Sequence, residues 1–160
     1  MKIIIINGKI GSGKSLIGYT LHRKLINSAF IEGDAFLQTN PFNPTKDNYM
    51  LATKNIINQI KMYKKFKNID YVILSWIIRD KEIFAAIKKA LSKSNIYPIC
   101  LECPTKILKS RVETEIQNGN KFQDNILKIN EEVYKENFTC INSNQDVEKI
   151  ISKIVKLINN

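Results

Sequence analysis

The stretch that most constrains this chain is Gly8-Lys9-Ile10-Gly11-Ser12-Gly13-Lys14-Ser15. An apolar run, Ile3 to Ile6, precedes it, and an amphipathic segment begins at Leu16. Strand, glycine-rich loop and helix in that order, with G-x-x-x-x-G-K-S spacing, make a phosphate-binding loop. Glycine at 8, 11 and 13 lets the backbone curl, with Ser12 between, until successive N–H groups point at one place. The helix that follows adds the positive end of its dipole, which favours phosphate there. Lys14 is then placed to reach the β- and γ-phosphates of a nucleoside triphosphate, and the Ser15 hydroxyl to ligate Mg²⁺.

At 160 residues the chain reads as one domain, residues 1–160, long enough to bury a sizeable core. Its 44% hydrophobic and 25% charged content is that of an ordinary soluble globular protein. No window approaches 18 uninterrupted apolar residues, so no membrane span is expected. Cleavage of the N-terminus as a signal peptide would remove the first strand, so a cytoplasmic location is expected. The net charge of +10 invites a nucleic-acid reading. Against it, lysine is spread along the whole chain, and arginine occurs only at Arg23, Arg79 and Arg111. Only Lys61 to Lys67, with Tyr63 and Phe66, combines clustered charge with aromatics.

Apolar runs bounded by turn residues predict strands at Lys2–Asn7, Phe30–Ile31, Asp70–Ser75, Ile96–Leu101 and Phe138–Ile141. Helical spacing predicts helices over Ser15–Asn27, Thr45–Phe66, Lys81–Lys93, from Pro104 or Thr105 onward, Ile126–Tyr134 and Val147–Ile158. In the first of these, Leu16, Tyr19, Leu21 and Leu25 form the apolar face; in the second, Tyr49, Leu51, Ile56, Ile57, Ile60 and Tyr63. Thr45 reads as a helix cap after the break Asn40-Pro41-Phe42-Asn43-Pro44. Strands alternating with helices predict a parallel sheet flanked by helices, an α/β fold. Cys100 and Cys103 form a C-x-x-C with no second pair, and on a strand such residues face opposite sides. All three cysteines are therefore expected to be reduced thiols, with Cys100 and Cys140 in the core. His22 is expected to be structural or solvent-facing.

Glu32-Gly33-Asp34 closes the short second strand, which places an acid in the crevice where open α/β sheets bind ligands. With the phosphate loop, the strand end Ser75 to Arg79 and Arg111 before a polar break, it completes a constellation. The chain resembles the small P-loop kinases of the nucleotide-kinase and shikimate/gluconate-kinase type. That resemblance implies a P-loop NTPase fold with a five-stranded parallel sheet, an acceptor-binding region over residues 35–67 and a lid at about 112–125. It implies transfer of the γ-phosphoryl group of ATP, with Mg²⁺, to the hydroxyl of a small molecule. Asp34 inherits a role as base or Mg²⁺-water ligand beside the acceptor. Arg111 inherits contact with the transferring phosphoryl group, and Arg79 the hold on the acceptor or its anionic group. Asn142-Ser143-Asn144, after the last strand, would border the adenine. The resemblance is compatible with a monomer or a homodimer.

Three departures qualify it. Glu115 stands where a second lid arginine is expected, leaving Lys121 as a weaker point charge. The third strand ends in Ser75, so the acid usual at that point is missing, and Mg²⁺ would rest on Ser15, phosphates and water with Asp34. Residues 35–78 hold no arginine, which favours a hydroxyl acceptor over a nucleoside monophosphate clamped by arginine. The alternatives are a nucleoside monophosphate kinase using Arg79, or an ATP-binding switch associated with nucleic acid through residues 61–67.

Overall fold

The computed structural model describes residues 1–118 and 133–160. Five strands, β1 (Lys2–Gly8), β2 (Ser28–Glu32), β3 (Tyr71–Ser75), β4 (Asn95–Glu102) and β5 (Thr139–Asn142), form one sheet in the order β2-β3-β1-β4-β5. Every pairing is parallel. Parallel strands need long crossovers, and helices α1 (Lys14–Lys24), α2 (Lys46–Tyr63), α3 (Lys81–Ala90), α4 (Thr105–Gln117) and α5 (Val147–Asn159) intervene or follow. The fold is the expected α/β arrangement, a five-stranded parallel sheet flanked by helices.

Central β1 is apolar without alternation because both its faces are covered. Ile3 and Ile5 face a core shared with α2 and α3, through Ile56, Ile60, Ile83 and Ile87. Ile4 and Ile6 face a second core built with α1 and α5, through Ile17, Leu21, Ile150 and Ile154. Isoleucine supplies most of the buried hydrophobic side chains on both sides of the sheet. Its branched Cβ suits the pleated surface and restricts χ1, so such a core is stiff. The helix ends follow local rules: Thr45 caps α2 by accepting from the Asn48 N–H, and Asp80 caps α3 by accepting from the Ile83 N–H.

Two apolar faces differ from expectation. On α1 the residues turned to the sheet are Ile17, Gly18 and Leu21, while Leu16 and Tyr19 are 58% and 51% exposed. Gly18 explains this choice: a Cβ there would meet the Phe30 ring at 2.8 Å, so the helix lies closer to the sheet than a larger residue would permit. On α2 the buried stripe runs through Tyr49, Ala52, Thr53, Ile56, Ile57 and Ile60, with Leu51 outside.

All three cysteines are free. Cys100 is buried as expected, and burial, followed by the neighbouring Cys140, pushes its thiol pKa up to about 12. Cys140 is exposed, contrary to expectation. It lies on the short edge strand β5, where α5 covers the face carrying Ile141 and alternation turns Cys140 to the other. His22 is structural: its Nδ1 meets the Ser28 hydroxyl at 2.8 Å. Residues 126–132 of the expected helix and 119–125 of the expected lid, Lys121 among them, lie outside the described residues; the lid's first residues belong to α4, and Val133 and Tyr134 are not helical. No helix among the described residues is long and apolar enough to cross a membrane.

Candidate active site

β1 ends where its backbone peels away into the phosphate loop. Gly13 caps α1 with φ of 90°, a left-handed conformation that suits glycine, and no side chain caps the helix. The first N–H groups of α1 therefore face the loop rather than a capping oxygen. Lys14 rests its Nζ on the Lys9 carbonyl at 3.0 Å, and the same carbonyl accepts from the Ser12 N–H at 3.1 Å. The Ser12 hydroxyl is buried within this curl without a hydrogen-bond partner among the described residues. A loop with free donors and a cation folded back on it fits a polyphosphate.

The loop forms one wall of a cleft of about 1280 Å³. Sites for a single small ligand run to roughly 300–1,000 Å³, so this space suits a nucleotide together with a second molecule. Asp34, exposed in the short 3-10 turn Gly33–Leu37, faces the cleft just beyond β2. The loop from β3 to α3 contributes Arg79 to the same cleft. The Arg79 guanidinium lies over the Tyr49 ring, 4.7 Å from its centroid, and Tyr49 in turn packs on Trp76 at 5.8 Å. This stack holds the planar fork of the arginine at the cleft. Lys46 and Glu82 pair across the starts of α2 and α3 at 2.7 Å, and Lys46 also lines the cleft.

Arg111, on α4, bridges two loops. Its Nη1 donates to the Gly11 carbonyl at 3.2 Å and its Nη2 to the Ser143 carbonyl at 3.3 Å. It thus ties the phosphate loop to the segment after β5. Glu115 lines the same wall one turn further along α4. From the segment after β5 it is Ser143, Gln145 and Val147 that line the cleft. Asn142 is exposed, and its Oδ1 accepts from the Asn144 N–H, so its side chain closes a local turn outside this cleft. Gly8 likewise lies beneath the loop rather than on the cleft wall, while Gly11, Ser12, Gly13, Lys14 and Ser15 line it.

Two residues escaped the sequence reading. Glu32 is the first: half-buried at the end of β2, its carboxyl stands beside the Ser15 hydroxyl and opposite Ser75. Burial, aided by the Asp34 charge, pushes its pKa above the ordinary value, against the pull of Ser15, Ser75 and Lys14. Glu32 and Ser15 offer hard oxygen donors, and Mg²⁺ takes few protein ligands when phosphates and waters complete its shell. The acidic pair Glu32 and Asp34 was visible in the sequence, but only Asp34 looked like a site residue. Asn7 is the second. Its Oδ1 accepts from the Gly8 N–H at 2.8 Å and the Ile78 N–H at 2.9 Å, and its Nδ2 donates to the carbonyls of Tyr134 at 2.8 Å and Ile78 at 3.3 Å.

No curated protein matches the chain. Solved structures do, over almost its full length. A gluconokinase from Sinorhizobium meliloti 1021 is 15% identical, with a TM-score of 0.74, covering 99% of this chain and 95% of that one. An APS kinase from Mycobacterium tuberculosis, in complex with AMPPNP and APS, is 13% identical, with a TM-score of 0.77 and coverages of 99% and 98%. The tunicamycin resistance protein of Deinococcus radiodurans is 16% identical, with a TM-score of 0.71 and coverages of 99% and 96%. At such identities the likeness establishes the fold, that of the small P-loop kinases. A family model described as an AAA domain matches residues 4–140. The chain belongs to this AAA domain family, as a member with the fold of the small P-loop kinases.

Proposed function

We infer that the protein is a phosphotransferase that moves the γ-phosphoryl group of ATP to the hydroxyl of a small molecule. The observation that carries this reading is that the phosphate loop, Asp34 and Arg79 line one and the same cleft. Phosphoryl transfer asks chiefly for positioning and for cations around the equatorial oxygens, and the cleft supplies both. Backbone N–H groups of Gly11 to Lys14 hold the phosphate chain, and Lys14 leaves the Lys9 carbonyl to reach it. Ser15 and Glu32 are the residues that would hold Mg²⁺, directly or through water, with Asp34 close by. Bound there, the metal neutralises charge that develops on the phosphates.

On the acceptor side, Asp34 orients the incoming hydroxyl and takes up its proton as the new P–O bond forms. Arg79, held over the Tyr49 ring, binds an anionic group of the acceptor. Residues 35–67 form the acceptor wall through Leu37, Gln38, Phe42, Pro44 and Tyr49, which share the cleft with Asp34. Arg111 holds the nucleotide end of the cleft by joining the phosphate loop to Ser143. A second reading, a nucleoside monophosphate as acceptor, is favoured by Arg79, whose planar fork suits a phosphate as well as a carboxylate.

Transfer of label from γ-labelled ATP tests the reading, across nucleosides, nucleoside monophosphates, sugar acids, shikimate and hydroxyl-bearing antibiotics. Label should appear on one class of acceptor and vanish in Lys14→Ala. Tight ATP binding with no transfer to any acceptor would sink it and favour an ATP-binding switch.

A further inference from the structure

The buried amide of Asn7 is fully used. An asparagine side chain has two N–H donors and two acceptor lone pairs. Here the donors reach the carbonyls of Ile78 and Tyr134, and the acceptors take the N–H groups of Gly8 and Ile78. Each oxygen contact is to an N–H and each nitrogen contact is to a carbonyl, so the amide has one satisfied orientation. Asn7 itself is fully buried.

The placement of these partners gives the arrangement its meaning. The main-chain register of β1 with β3 ends at Ile6 and Ser75, and the Trp76 N–H still reaches the Ile6 carbonyl at 3.1 Å. Beyond that point β3 leaves the sheet, while β1 stays paired with β4 through Asn7 and Gly8. The Asn7 side chain takes over, meeting both the N–H and the carbonyl of Ile78 as a peptide group would. Its oxygen simultaneously fixes Gly8, the first residue of the phosphate loop. Ile78 directly precedes Arg79, and its carbonyl also accepts from the Tyr134 N–H at 3.0 Å. One side chain therefore joins the phosphate loop, the loop that carries Arg79 and the segment that leads into β5.

We propose that Asn7 is a positioning residue that couples the phosphate loop to the Arg79 loop, so that nucleotide on one is transmitted to the other. The proposal rests on the reading of Arg79 as the acceptor-side residue. A polar residue at the end of a buried strand could be present only to satisfy the turn. Engagement of two further segments, through both N–H groups of the amide, exceeds what closing the turn at Gly8 requires.

The test needs no acceptor. Trp76 is the only tryptophan, and it lies two residues before Ile78 and against Tyr49, the ring under Arg79. In the wild type, AMPPNP with Mg²⁺ should change Trp76 emission. At AMPPNP concentrations shown by calorimetry to saturate it, Asn7→Ala should show less than about a fifth of the wild-type emission change. An undiminished emission change at saturation in the variant overturns the coupling. So does a loss of AMPPNP affinity with the emission response retained, which would make Asn7 a support of the phosphate loop alone. Should Asn7→Ala fail to fold, hydrogen exchange on the wild type decides. AMPPNP should slow the Gly8 and Ile78 amides together, by about fivefold or more, because both end on the same Asn7 oxygen. Slowing at Gly8 with none at Ile78 overturns the proposal. Failure of the wild type to bind AMPPNP overturns both this proposal and the phosphotransferase reading. Intact coupling with no acceptor labelled supports the coupling and sinks only the transfer.

Discussion

Glu32 stands directly across from Ser75 in the register of β2 and β3. A carboxylate thus stands beside the Ser15 hydroxyl one strand over from the third strand, which carries none at that point. On the proposed reading, this keeps a carboxylate within reach of the Mg²⁺ that Ser15 would hold, while the end of β3 is small and neutral.

Glu32→Gln should separate stability from activity. The folded protein raises the Glu32 pKa, mainly by burial, so it holds that proton more tightly than the unfolded chain does. Such a group favours folding at acid pH, and the advantage is lost as pH rises through the raised value. The neutral amide escapes that loss. Thermal unfolding should show Glu32→Gln more stable than wild type at pH 7 and no more stable at about pH 4, while its phosphotransfer falls by about tenfold or more. Equal melting at both pH values would remove the buried-charge argument.

Gly33 is in contact with the one tryptophan. A Cβ at that position would lie 2.2 Å from Trp76 Cγ, and Tyr49 packs against the same ring. Gly33→Ala should destabilise the protein by about 1–3 kcal/mol, as overpacking does, and displace Trp76. Denaturant unfolding and near-ultraviolet circular dichroism read both effects.

Arg79→Lys keeps the charge and loses the planar fork and its stack on Tyr49. Acceptor KM should rise by about tenfold or more with the KM for ATP unchanged. Steady-state kinetics with each substrate varied in turn would reveal it, and a rise confined to ATP would place Arg79 at the nucleotide instead.

Arg111→Lys cannot span the Gly11 and Ser143 carbonyls with two parallel donors. The KM for ATP should rise by more than kcat falls. A pure loss of kcat, with nucleotide affinity intact, would mean that the guanidinium leaves these carbonyls to meet the transferring phosphoryl group.

What the sequence revealed follows from what is local in it. The phosphate loop and the alternation of strands with helices rest on short-range chemistry, and the sheet and cradle are as that chemistry demands. The buried face of α1 is not the one its apolar spacing indicates, because Gly18, which has no apolar side chain to count, packs closely against Phe30 of β2. Cys140 was misplaced because edge strands expose one face, and nothing in four residues states which strand is at the edge. Glu32 and Asn7 were passed over for a related reason. A polar residue ending an apolar strand looks like a terminator, and its role appears only when the neighbouring strands are set beside it.

The isoleucine-dominated core has a practical consequence for spectroscopy. Labelling only isoleucine δ1 methyl groups would place reporters on both faces of the sheet, on the strand that feeds the phosphate loop and at residues 77 and 78 beside Arg79. A single methyl spectrum of this 160-residue chain, recorded with and without nucleotide, would follow both layers of the molecule at once.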